Sequence, residues 1–218
     1  MAYEKESNMS EVTINGKKYG SIEEYMEEIN PTIVEPENID DWIYVLEDDG
    51  TITINGYRGS DKEVVIPNYI NGVPVKKLGY VVHGYANGNP LGSFWDPSIC
   101  KGGTISWYWR IQNDITSVVI SKGIEEIGIQ TFLYSQALNE VIIPTTVKTI
   151  KYGVFGGCTS LTNIVIPSSV TTMESFVFSE IPSITVHVPW KEGEKPEGWD
   201  DHWNGTSPDC IITVDYAK

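Results

Sequence analysis

The sequence has little of what catalysis is usually built from. It holds three histidines in 218 residues, His83, His187 and His202. No Ser-His-Asp order, zinc-peptidase helix motif, Walker loop or dinucleotide fingerprint accompanies them. Three cysteines, Cys100, Cys158 and Cys210, are too few and too scattered for a disulfide framework or a zinc site, and their odd number is compatible with a reducing compartment. Basic residues are scarce too: fifteen Lys and Arg stand against thirty Asp and Glu, a net charge of -15. Phosphate recognition runs on Lys and Arg, so direct binding to DNA, RNA or an anionic membrane is disfavoured. An acidic surface can still meet a basic partner, including a protein that itself binds nucleic acid. No apolar run approaches the roughly 18 residues of a membrane span, and the opening residues lack a charged-then-apolar leader. A cytoplasmic location is therefore favoured for the chain as it stands, although loss of an export signal would leave the same sequence.

What is present is a core and a repeat. Hydrophobic residues make up 40% of the chain, enough to bury an interior. Three segments align without gaps: ITSVVISKGIEEIGIQTFLYSQA from Ile115, LNEVIIPTTVKTIKYGVFGGCTS from Leu138 and LTNIVIPSSVTTMESFVFSEIPS from Leu161. Each start follows the last by 23 residues. Five columns stay apolar throughout: Ile115/Leu138/Leu161, Val118/Val141/Ile164, Ile120/Ile143/Ile166, Ile124/Val147/Val170 and Ile127/Ile150/Met173. A sixth is always phenylalanine, Phe132/Phe155/Phe178.

Within one repeat, Val141 and Ile143 alternate with Glu140 and Ile142, the period of a short strand with one buried face. Pro144 or Pro167 ends that strand, since proline has no N–H to give to the ladder. A second extended piece follows, with Val147 and Ile150 inward. The return runs through Phe155 and Gly156-Gly157 as a turn or helical turn. One coil cannot bury its own apolar side, so coils must stack and the rings form a spine.

The pattern best read from Leu161 to Phe178, with Cys158-Thr159-Ser160 before it, resembles the BspA-like leucine-rich repeats. The resemblance covers Ile115 to Ser183. It extends in degenerate form to Val64-Val65-Ile66-Pro67 through Val75 and Leu78, and to a closing segment carrying Pro189, Pro196, Gly198, Trp199 and Trp203. It implies a leucine-rich-repeat solenoid, mostly β with short turns or helical turns. It also implies a bacterial or mobile-element origin and non-enzymatic adhesion or protein binding.

Around the repeats we expect an acidic N-terminal cap over 1–63, a solenoid over 64–183 with an insertion at about 80–114, and a C-terminal cap over 184–218. Residues 1–63 hold sixteen acids and five bases. The turn signals Asn15-Gly16, Asp49-Gly50 and Asn55-Gly56 suggest hairpins there. Between them SIEEYMEEI has helical spacing, with Ser21 as N-cap and Glu23, Glu24, Glu27 and Glu28 giving an acidic face. The insertion carries Phe94, Trp95, Trp107, Tyr108 and Trp109, which either fill the core or project as anchors for a partner.

No catalytic residue, cofactor or metal site is assigned, and the chain is read as not an enzyme. Asp200-Asp201-His202 is expected to be a solvated loop, Glu47-Asp48-Asp49-Gly50 a turn lacking spaced calcium ligands, His187 structural or exposed, and Cys158 inert packing. If Val118, Val141 and Ile164 point inward, Val119, Ile142 and Val165 form an outer apolar ladder beside Glu140, and Glu125, Lys148 and Thr171 a second outer row. The expected function is a protein-binding module acting through that sheet face, through the aromatic residues Trp95, Trp107, Tyr108 and Trp109, or both. The alternatives are a phage or mobile-element inhibitor whose acidic quarter blocks a basic nucleic-acid-binding surface, and a surface adhesin without its signal.

Overall fold

The computed structural model describes residues 12–14, 17–19, 33–79, 85–86, 89–90, 114–205 and 210–217. The anticipated helix from Ser21, the carboxylates Glu23, Glu24, Glu27 and Glu28, and the residues Trp95, Trp107, Tyr108, Trp109 and Cys100 lie outside the described residues.

Strands β1 (Val12–Ile14) and β2 (Lys17–Tyr19) pair antiparallel with Ile14 opposite Lys17, the register an Asn15-Gly16 signal calls for. A 3-10 turn at Ile39–Asp41, capped by the Asn38 side chain, leads into β3 (Trp42–Leu46), which reverses antiparallel into β4 (Ile52–Tyr57). Asp49 fixes that reversal. Its Oδ1 accepts from the Thr51 N–H at 3.0 Å and the Thr51 hydroxyl at 2.6 Å, while Gly50 sits at φ 79°. The expected hairpin at Asn55-Gly56 is corrected: both residues lie inside β4. Pairing steps from Ile43–Gly56 to Tyr44–Ile54, so Asn55 is the extra residue of a β-bulge. Asn-Gly kinks the strand here where it would otherwise reverse it.

The degenerate coil contains β5 (Glu63–Ile66), β6 (Tyr69–Ile70) and β7 (Val73–Leu78). Next come β8 (Tyr85–Ala86) and β9 (Asn89–Pro90), paired antiparallel. Each equal-length segment then supplies two strands: β10 (Ser117–Ile120) and β11 (Glu126–Ile127), β12 (Glu140–Ile142) and β13 (Thr149–Ile150), β14 (Asn163–Val165) and β15 (Thr172–Met173). Finally β16 (Ser183–Val188) and β17 (Ile211–Tyr216) follow. Among the described residues there is no α-helix, and the returns are made by turns.

Strands of like position stack in parallel. The first ladder consists of two three-stranded sheets, β5–β10–β12 and β14–β16–β17, which adjoin where β12 neighbours β14; the second runs β4, β7, β11, β13, β15, with β3 along its outer edge. Registers keep the repeat columns together: Val118 faces Val64 and Val141, and Ile127 faces Leu78 and Ile150. Strands β12 and β14 stop ahead of Pro144 and Pro167, whose carbonyls then accept the N–H of Val147 and Val170 at 3.1 Å each. The apolar columns fill one continuous core between the ladders.

The rings stack as required. Phe132 and Phe155 lie 5.7 Å apart at 4°, Phe155 and Phe178 5.7 Å apart at 11°, and Trp203 closes the row edge-on, 5.9 Å from Phe178 at 84°. Burying each ring contributes roughly 1.5–3 kcal/mol. The return turns use two left-handed columns spaced by the repeat: Gln130, Gly153 and Phe176 at φ 54°, 63° and 61°, then Tyr134, Gly157 and Glu180 at 61°, 69° and 58°. Glycine occupies both only in the middle coil. There a Cβ on Gly157 would meet the Tyr134 ring at 2.2 Å.

Candidate binding surface

The first ladder alternates, so its odd positions leave the core. Register places Val65 beside Val119 and Val119 beside Ile142; two coils on, Val165 stands beside His187 and His187 beside Asp215. The outer row is therefore apolar at one end and polar at the other. Val65 is 47% exposed, while Val119 and Val165 are half-buried. Ile142 departs from the expected open ladder, for it is only 8% exposed. It nevertheless stands outside the core cluster that takes in its neighbours Val141 and Ile143. On that outer face its register partner is Val119. The adjoining row is polar, and the Ser117 hydroxyl donates to the Glu140 carboxylate at 3.1 Å. Val65, which sequence reasoning passed over, belongs to the apolar row; its signal was the alternation of Val64 and Ile66 around it.

The second ladder presents charge. Glu125 receives Lys76 at 2.8 Å and Lys148 at 2.7 Å, one ammonium on each carboxylate oxygen. Hydrogen bonds from Lys148 and Lys76 hold its pKa down to about 2. These groups line a shallow groove of about 380 Å³ together with Asp49, Lys77 and Glu126. Three lysines and three carboxylates leave the groove nearly neutral. Lys151 and Glu174 add a further pair at 3.1 Å. Of the row expected on this face, Glu125 and Lys148 pair with each other, while Thr171 is exposed on the next coil.

Among the described residues, Asp49, His187, Cys158, Asp200 and Asp201 are each engaged within the fold. The Asp49 carboxylate is held below its ordinary range by the Thr51 hydroxyl and N–H that it fixes. Asp201 pairs with Lys195 at 2.8 Å and Asp200 accepts from the His202 backbone N–H at 2.7 Å, so the local positive charge beside Asp201 is already a lysine. His187 Nδ1 lies 2.7 Å from Asp215 Oδ2 across the β16–β17 register. Cys158 is buried, its thiol pushed up to about 12 by that burial, and it donates to the Phe132 carbonyl at 3.1 Å. A thiol so protonated is no nucleophile at neutral pH. Among the described residues no group of His, Cys, Asp and Glu could hold a metal ion.

Sequence and structure comparisons agree on the scaffold. Residues 105–191 match the model for the BspA type leucine rich repeat region, in six copies. Among curated proteins no relative matches. A leucine-rich repeat protein from Bacteroides ovatus superposes with a TM-score of 0.53 at 20% identity over 83% of this chain, which spans 41% of that protein's length. A leucine-rich repeat protein from Bacteroides capillosus gives 0.49 at 18% identity, covering 85% of this chain and 99% of its own.

Proposed function

The coils within residues 105–191 match BspA-type leucine-rich repeats, and from that premise we propose that the protein is a non-enzymatic scaffold that binds another protein through the outer row of the first ladder. Leucine-rich-repeat proteins generally mediate protein interactions and are typically not enzymes. The observation that carries the proposal is the in-register apolar row Val65–Val119–Ile142, turned away from the core with Val65 at 47% exposure. A contiguous apolar strip on a chain of such high charge marks a contact surface. Trp107 and Trp109 belong to the same proposal as aromatic anchors. The acidic surface favours a basic partner, because opposite charge speeds encounter and sets orientation.

The test uses affinity capture from cells of the source organism. Wild type is compared with Val65→Asp/Val119→Asp/Val165→Asp, and separately with Trp107→Ala/Trp109→Ala, after each variant is shown to melt cooperatively. Loss of the captured partner in the first variant supports the row. Retention of full affinity by both folded variants refutes the row and the anchors alike.

A further inference from the structure

The ends of the two ladders are finished differently. The second is closed: Met173 bridges Trp199, the Met173 N–H donates to the Gly198 carbonyl at 3.2 Å, and the Asp200 N–H returns to the Met173 carbonyl at 2.8 Å. The Trp199 ring N–H then donates to the Val170 carbonyl at 3.0 Å. The first ladder instead runs out at β17, paired with β16 over six consecutive residues without a register shift. Among the described residues no strand lies beyond it.

We propose that the outer edge of β17 is a second binding site, which takes an extended basic segment of a partner polypeptide as one more strand. The site stands independently of the outer apolar row. Its backbone is ready: the Ile211 N–H donates toward β16, to the Pro182 carbonyl at 3.1 Å. By strand alternation the N–H and C=O groups of Ile212, Val214 and Tyr216 then face the open edge. Its side chains describe an unfinished rung. Ile184, Val186 and Val188 on β16 are 1%, 0% and 3% exposed, whereas their register partners Ile212, Val214 and Tyr216 are only half-buried against the same core. An added strand would set alternate side chains beside these three, as strand addition does elsewhere.

The usual guards of an edge are missing from β17. It carries no proline, lysine or bulge, and its one charge, Asp215, is engaged by His187. At the other end, edge strand β3 does have the bulge in its pairing. Charge decides the occupant. A second copy would bring another -15 against the first. Residues 180–216 carry seven described carboxylates against Lys191 and Lys195, so the segment that fits alternates β-branched apolar residues with lysine or arginine.

The experiment titrates the intact protein with a short peptide alternating valine and lysine, a valine–glutamate peptide, and a valine–lysine peptide N-methylated at alternate residues. Expected is binding of the first, with the methylated and acidic peptides weaker by about tenfold or more, the equivalent of losing backbone hydrogen bonds and charge complementarity. On binding, the amides of Ile212, Val214 and Tyr216 slow in hydrogen exchange, while those of Ile211 and Thr213, already bonded to β16, change little. Val214→Pro removes an outward N–H and abolishes binding; should it fold poorly, Thr213→Lys, on the exposed face, gives the same loss through charge. The proposal is overturned by equal binding of the methylated peptide, by no binding of the valine–lysine peptide, by unchanged exchange at the three amides, or by self-association that blocks the peptide.

Discussion

The equal-length coils and the C-terminal end solve the same problem by different means. In the coils, each apolar column is covered by the same column one repeat away, so Phe155 is sandwiched between two nearly parallel rings. Beyond the last coil, among the described residues, aromatic rings take the place of another repeat. Trp203 meets Phe178 edge-on, Trp199 packs against Trp203 at 5.2 Å, and Trp190 bridges Trp199 and Tyr216 at 5.4 Å each. Repetition lets like side chains seal one another face to face, whereas at this end larger indole rings cover the last coil edge-on.

The largest effect separates the two arrangements. Phe155→Ala should cost about 3–5 kcal/mol, because it empties a site enclosed on both faces. Trp203→Ala removes a buried ring that meets Phe178 and Trp199 only edge-on and should fall near the low end at about 3. Urea unfolding followed by far-ultraviolet circular dichroism measures both. An equal or larger loss at Trp203 would mean that the end, not the stack, is where the solenoid is most tightly held.

Closure of the second ladder gives the next effect. A Cβ on Gly198 would fall 2.3 Å from the Thr171 carbonyl oxygen, so Gly198→Ala forces the Trp199 segment off β15 at about 1–3 kcal/mol. Hydrogen exchange should rise at Met173 and Asp200 and hold at Ile127, three coils' depth into the ladder. Faster exchange spread evenly through both sites would show that the end and the coils open as one unit.

How far this architecture was legible follows from the same contrast. Columns such as Val118/Val141/Ile164 and the phenylalanine spine repeat within one chain, so self-alignment alone exposes them. Ile142 could not be read, since alternation assigns a face and not what flanks it. Asn55-Gly56 carries an unaltered turn signal, and only its pairing with β3 turns that signal into a bulge. Asn68 binds across distance: its side chain takes the Val34 N–H at 2.7 Å and donates to the Lys122 carbonyl, a junction with no local pattern. The row Val119, Ile142 and Val165 was read from the repeat, but the edge of β17 was not, because an edge is defined by its neighbours and, among the described residues, β17 pairs only with β16.

A smaller effect tests the charged face. Glu125 is partly exposed, so Glu125→Gln should cost only about 0.5 kcal/mol at neutral pH. Its pKa in the folded protein is lowered from 4.5 to about 2 by the two lysines. The contribution is therefore fully present above pH 4.5 and fades as pH falls through 2. Wild type and variant should differ in urea midpoint at pH 7, differ less in molar salt, and converge at pH 2. A gap that survives acid would assign the loss to packing.

The smallest effect compares coils with one another. Gln130 and Gly153 are the same column in neighbouring coils, both left-handed, and Gln130 is exposed. A left-handed residue with a Cβ costs roughly 1–2 kcal/mol, while glycine adds about 0.5–1 of entropy lost on folding. Gln130→Gly keeps the backbone bond from its N–H to the Tyr152 carbonyl at 2.9 Å, so it should stabilise by about 0.5 kcal/mol. At Tyr134 the same exchange forfeits the hydroxyl bond to Glu180 at 2.8 Å and should give no gain. If Gln130→Gly destabilises, its side chain holds the turn in a way glycine in the next coil does not, and the coils are equal in length without being equal in strain.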